Sequence, residues 1–116
     1  MSKRILLVGG DLNARARISS AAEAAGAEWE TSGAGALMDR LEEVRPDVLI
    51  LDLDGAGREV LPRLAEAAGR GLLPPETVGY YSHVDVAVAA EAKQAGVRAI
   101  RRGRFWRDVG ALLSGG

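Results

Sequence analysis

The chain has no cysteine. That excludes a disulfide framework, a thiol nucleophile and a thiolate metal site. Aromatic residues are scarce, at 4%, so a core must be built from Leu, Val, Ile and Ala. No sign of charge dominates: the formal net charge is −1, which gives no global pull toward nucleic acid or an anionic membrane. Long apolar runs are also missing near the N-terminus. Lys3-Arg4 leads into only four apolar residues, too short for a signal-peptide core or a membrane span. The expectation is a soluble cytoplasmic protein that touches no membrane. What the chain does have is hydrophobic content, 47%, and 116 residues, the size of one ordinary domain.

The most informative stretch is Pro46-Asp47-Val48-Leu49-Ile50-Leu51-Asp52-Leu53-Asp54-Gly55. A short run of Val, Ile and Leu reads as a strand buried on both faces. It ends in a carboxylate and a glycine turn. In an open α/β sheet the carboxyl ends of the strands are where ligands bind, so Asp52 is placed where it can act. The rest of the chain repeats the pattern. Ile5-Leu6-Leu7-Val8 is a first strand, broken by Gly9-Gly10. Asp11 is a good N-cap for a helix that runs to Gly26. Glu28 to Thr31 alternates like an edge strand. Leu37, Leu41 and Val44 make a second helix, stopped at Arg45-Pro46. Val60, Leu61, Leu64 and Ala68 make a third, beginning around Glu59 and ending at Gly69. Val78 to Tyr81 is a fourth strand, and Asp85 caps a helix running to Gly96. Val97 to Ile100 is a fifth strand, and Phe105, Val109, Leu112 and Leu113 form a last helix. Five strands alternating strictly with five helices require a parallel sheet with right-handed crossovers and helices on both faces.

With its elements in that order, the chain resembles the receiver domains of two-component response regulators over almost its whole length. The segments that carry the resemblance are Ile5 to Arg15 (ILLVGGDLNAR), Asp47 to Gly55, Val78 to Ser82 and Gly96 to Phe105. The resemblance implies a flavodoxin-like α/β fold with sheet order 2-1-3-4-5. It implies a single receiver-like domain over residues 1–116, with no output domain in this chain. It makes Asp52 the phosphoacceptor position and Ser82 the hydroxyl that bonds a phosphoryl oxygen. Phe105 matches the aromatic that follows the family's Lys-Pro.

The same comparison exposes losses. The family's acidic pair, which holds Mg²⁺ together with the phosphoacceptor, falls on Gly9 and Gly10, leaving only Asp11 one place along. The Lys that pairs with the phosphoryl group falls on Gly103, and the Pro after it on Arg104. Ile100 stands where a switch aromatic usually does. Mg²⁺ prefers near-octahedral oxygen ligation. Asp52 with Asp11 makes a weak site at most, so no cofactor is expected. Without neighbouring carboxylates Asp52 should ionise easily. The reading is a pseudo-receiver: a stand-alone signalling module, not an enzyme, that acts by protein–protein contact. Two alternatives remain open. One is an atypical response regulator phosphorylated at Asp52, with Arg102 or Arg104 reaching in for the missing Lys. The other is a small anionic-ligand binder using the crevice of Gly9, Gly10, Asp11, Asp52, Asp54, Ser82, His83 and Gly103.

Simpler roles stand beside these. Asp52 can serve as a structural carboxylate that accepts N–H bonds from its own loop. Gly9-Gly10 reads as a tight turn, because GGDLNA is not a nucleotide-binding pattern. Ser82, His83 and Asp85 do not compose a catalytic triad, since adjacent strand residues point to opposite faces. Arg98, Arg101, Arg102, Arg104 and Arg107 form one basic cluster, answered by Asp108. It is read as a docking face for an anionic protein surface, a histidine kinase or a downstream effector, or for a homodimer through strand five and the last helix. Nucleic acid is not expected, because no helix presents basic residues in register for a groove. Trp106 is the natural anchor of such a face if exposed.

Overall fold

The computed structural model describes residues 3–82 and 84–114. His83, one of the crevice residues expected from sequence, lies outside them. The elements are β1 Arg4–Val8, α1 Leu12–Ala25, β2 Glu28–Ser32, α2 Leu37–Val44, β3 Val48–Asp52, α3 Leu64–Gly69, β4 Glu76–Tyr81, α4 Val86–Gln94, β5 Arg98–Arg101 and α5 Arg102–Ser114. Short 3₁₀ segments precede α2 (Ala34–Ala36) and α3 (Ala56–Arg63). All strand pairings are parallel, and the order is β2-β1-β3-β4-β5. This is the doubly wound architecture that the alternation of elements predicts.

Strand parity builds the two halves of the core. On one face Ile5, Leu7, Val48, Ile50, Val78 and Tyr80 meet α1 and α5. On the other, Leu6, Val8, Leu49 and Leu51 meet α2, α3 and α4. Every residue of β3 is buried, as expected of a strand covered on both sides. Each fully buried Leu, Ile or Val contributes roughly 1.5–3 kcal/mol, so this strand anchors the site at its end.

The caps act as read from the sequence. Asp11 Oδ1 accepts the Ala14 N–H at 2.8 Å, and Gly26 closes α1 in the left-handed region. Arg45 also turns left-handed, at φ 50°, as the C-terminal cap of α2, its N–H returning to the Leu41 carbonyl. Two boundaries differ from expectation. The third helix begins as a 3₁₀ segment at Ala56, with Pro62 inside it. A proline has no N–H to donate and its ring crowds the preceding turn, so regular α geometry starts only at Leu64. The fifth strand runs one residue further, to Arg101, and α5 starts at Arg102 with no connecting turn. Gly103 therefore lies in the first turn of a helix and not at the tip of a strand.

Candidate functional site

Asp52 closes β3 at the carboxyl edge of the sheet, only 7% exposed. Both of its oxygens accept backbone N–H groups. Gly10 donates to Oδ2 at 3.2 Å and Asp54 donates to Oδ1 at 3.1 Å. The first bond depends on glycine. Gly9 and Gly10 have φ of 84° and 88°, a region that costs other residues about 1–2 kcal/mol each. A Cβ on Gly9 would also lie 3.2 Å from the Asp52 Cβ, and one on Gly10 would lie 2.9 Å from Leu7 Cδ2. The loop after β1 thus aims an amide at Asp52 and is built for residues without side chains.

The rest of the crevice is organised by Asp54, Arg102 and Tyr80. Asp54 Oδ1 accepts the Ser82 N–H at 2.8 Å, which ties the end of β4 to the loop after β3. Its Oδ2 lies 3.6 Å from Arg102 Nη1. The Arg102 guanidinium also lies 5.5 Å from the centre of the Tyr80 ring, within the range of a cation–π contact. Among the arginines considered from sequence, Arg102 is the one the fold turns toward Asp52 and Asp54. Arg101 and Arg104 are exposed. Gly103 offers no side chain.

Tyr80 was not singled out by the sequence reading. It pairs with Asp52 across the β3–β4 ladder and is fully buried. Its hydroxyl has no hydrogen-bond partner among the described residues. Burial, and then the charge of Asp52, push its pKa up. The strand-four hydroxyl level with Asp52 is thus a phenol on an aromatic ring, while Ser82 lies one residue beyond the strand and is held through its backbone. Only the inter-strand register reveals this. The ring packs against Phe105 at 4.9 Å and Trp106 at 5.2 Å. Trp106 in turn carries Arg17 at 5.4 Å. It is half-buried in this cluster.

The acidity of Asp52 also differs from expectation. Its pKa is raised above 3.8, with burial as the leading cause. The Asp54 N–H, the Arg102 charge and the Gly10 N–H pull it back only in part. Counting neighbouring carboxylates captures repulsion but not desolvation, which disfavours the charged form on its own.

Nor do the residues fit a Mg²⁺ cage. The positions beside Asp52 are two glycines in left-handed geometry, the Gly10 amide occupies one carboxylate oxygen, and Asp11 is committed to capping α1. Among the described residues no three acidic or imidazole side chains converge as a metal site needs. On the outer wall, Arg58 Nη1 reaches Asp85 Oδ2 at 3.1 Å and its Nη2 reaches Glu91 Oε1 at 2.6 Å, tying the 3₁₀ segment to α4. The basic cluster is answered more widely than by Asp108 alone. Arg98 approaches Glu76 at 3.9 Å and Arg102 pairs with Asp54, while Arg104 and Arg107 share Asp108.

No protein-family model matches the chain, and no curated protein matches it. Solved structures do. NtrX from Brucella abortus superposes with a TM-score of 0.72 at 19% identity, over 98% of this chain and 27% of that one. This chain therefore spans about a quarter of NtrX. A CheY-like response regulator receiver domain protein from Methanospirillum hungatei gives 0.71 at 21% identity, covering 94% of this chain and 88% of that one. The REC domain of AraT, a response regulator from Geobacillus stearothermophilus, gives 0.69 at 20% identity, covering 98% and 94%.

The chain has the response-regulator receiver fold. Within that receiver fold Asp52 occupies the end of the central strand, where the sequence resemblance placed the phosphoacceptor. Beside it the Asp54 carboxylate pairs with the Arg102 guanidinium, whose charge also reaches Asp52. Among the described residues no helix is long and apolar enough to cross a membrane.

Proposed function

We propose that this chain is a receiver-like signalling module that works by protein–protein contact and whose Asp52 has lost metal-assisted phosphorylation chemistry. The observation that carries this is the engagement of both Asp52 oxygens by the Gly10 and Asp54 amides. Where an ordinary receiver needs acidic side chains for Mg²⁺, this loop supplies an N–H donor from glycines that cannot be exchanged for acids without strain. A phosphoryl group brings a charge of about −1.5 to −2. It would arrive beside Asp54, with the Arg102 guanidinium to offset it and the buried Tyr80 ring on the neighbouring strand. On this reading the module catalyses no reaction and uses no cofactor.

The partner is another signalling protein, a histidine kinase or a downstream effector, with an anionic surface. Arg101 and Arg104 are exposed at β5 and the start of α5. They line a groove of about 960 Å³ beside β5 and α5. The crevice itself, with carboxylates in excess, suits an anionic small molecule less well.

Incubation with acetyl phosphate and Mg²⁺, read by intact-protein mass spectrometry, tests the proposal. The expected result is no phosphoryl adduct. Stoichiometric labelling that disappears in Asp52→Asn would return the chain to the ordinary receivers.

A second reading rests on the place of Arg102. Its charge lowers the Asp52 pKa, and a guanidinium can clamp a phosphoryl group in a forked geometry. On that reading a cognate kinase, unlike acetyl phosphate, labels Asp52, and Arg102→Ala removes the labelling.

A further inference from the structure

The sheet has two open edges, and they differ in charge. One is β2, Glu28-Trp29-Glu30-Thr31-Ser32. The other is β5, Arg98-Ala99-Ile100-Arg101. An edge strand presents unpaired N–H and C=O groups that can template pairing with another chain, and charges of one sign commonly block this. Here that device prevents β5 from pairing with β5 and β2 with β2. It does not prevent β5 from pairing with β2.

We propose that a second copy of this chain docks its β2 edge along β5, so that the parallel sheet continues from one molecule into the next. Strand parity supports the match on both faces. Ile100 belongs to the layer of α1 and α5, as does Trp29, and each is only partly buried against that layer. In a continued sheet they would lie side by side. The groove beside β5 has Ile100, Phe105, Val109 and Leu112 in its lining, which gives the indole an apolar seat. The groove exists because α5 leans along α1 and leaves the last strand thinly covered.

On the opposite face Ala99 packs with the other layer, so Arg101 projects on that side. It is exposed and makes no ion pair among the described residues. The acidic residues of β2, Glu28 and Glu30, alternate with Trp29 and so project on that same side in the next copy. They bond Arg4 and Arg40 within their own molecule, yet their side chains stay 71% and 53% exposed. A second cation can therefore reach them. The backbone is free as well. No loop backbone group bonds residues 98–101 among the described residues. On β2, Glu28, Glu30 and Ser32 turn their backbone groups toward β1, as the Glu28 N–H to Lys3 shows, and the Thr31 carbonyl accepts from Arg40 at 3.3 Å, which leaves the Trp29 N–H and carbonyl and the Thr31 N–H facing the open edge. Both strands are short, four residues in β5 and five in β2.

Because the two surfaces differ, the contact is heterologous. It propagates head to tail or closes into a ring, and it does not stop at a two-fold dimer. This distinguishes it from a symmetric homodimer through strand five and the last helix. It is also independent of whether Asp52 is ever phosphorylated.

Sedimentation velocity on the full chain at low salt, from micromolar to millimolar concentration, tests the idea with two single variants. Wild type is expected to sediment faster with concentration, past the dimer. Raising the ionic strength to about 1 M, where the screening length is about 3 Å, should reverse this. Arg101→Glu destroys only the basic edge and Glu30→Arg only the acidic one, so each alone should stay monomeric. Their equimolar mixture should again associate past the dimer, because the native pair forms at one contact and a charge-reversed pair at the next. A mixture of Arg101→Gln with Glu28→Lys should instead stop at the dimer, because the native contact forms once and the second contact has no opposite charges to pair. A wild type that remains monomeric throughout overturns the proposal. So does a wild type that halts at a dimer, or a mixture of variants that stays monomeric.

Discussion

Gly57→Ala is expected to lower the unfolding midpoint by on the order of 10–15 °C, a loss of about 3 kcal/mol. A Cβ at this position would stand 2.6 Å from the carbonyl oxygen of Asp52 and 2.8 Å from its carbonyl carbon. No side chain can swing aside to relieve this, because the neighbour is the backbone of a fully buried strand. Either the 3₁₀ segment lifts off or the end of β3 shifts. Both movements would also misplace the Asp52 carboxylate relative to the Gly10 and Asp54 amides. Gly110→Ala is the contrast. It lies inside α5 with nothing within 4 Å of the new Cβ, so the better helix former should stabilise by about 1 kcal/mol. Thermal unfolding followed by circular dichroism reads both. A Gly57→Ala protein as stable as wild type would mean that the close approach of this segment to β3 is wrong.

Asp52→Ala is expected to destabilise the protein by about 1–3 kcal/mol at neutral pH. It strips the acceptor from two N–H groups that fold around it, and a polar group left unpaired in a buried place costs about that much. The sign is informative. A carboxylate kept for chemistry at the expense of stability gives a more stable protein when removed. A carboxylate that organises its own loop gives a less stable one. The pH dependence follows from the raised pKa of Asp52. The folded state holds the Asp52 proton to higher pH than the unfolded chain does. The stability linked to this proton is therefore complete below the ordinary value of 3.8 and is lost as pH rises through the folded-state pKa. Asp52→Asn cannot titrate. The stability of wild type relative to Asp52→Asn should thus fall as pH rises from below 3.8 through the folded-state pKa, and then level off. A difference that grows with pH would show that the amides and Arg102 outweigh burial.

The fold was legible because its signals are local and agree with one another. Runs such as Ile5 to Val8 and Val48 to Leu51 can only be strands covered on both faces, and Gly26 and Pro46 end helices by their own backbone chemistry. Asp11 is a cap in sequence and in structure for the same reason. What was not legible depends on the third dimension. Arg101-Arg102-Gly103-Arg104 contains no cap and no effective breaker, so nothing in it reveals that α5 begins at Arg102 and turns that side chain to Asp54. Gly103 lies within that helix, whose Phe105 and Val109 pack into the core. Tyr80 was invisible as a site residue because its position beside Asp52 is set by the register of two strands more than twenty residues apart. The raised pKa of Asp52 was misjudged for a related cause: sequence shows which charges are near, and burial shows how much water is lost. Arg58 joins Asp85 and Glu91 through the packing of α4, which no local pattern encodes.

The central claim is that the Asp52 carboxylate is committed to amides and not to a cation. Titrating Mg²⁺ into ¹⁵N-labelled protein, with KCl of equal ionic strength as the control, tests it at the atoms concerned. The expected result is that the amide resonances of Gly10 and Asp54 move no more with Mg²⁺ than with KCl. Saturable shifts of those two amides, absent in Asp52→Asn, would contradict the account.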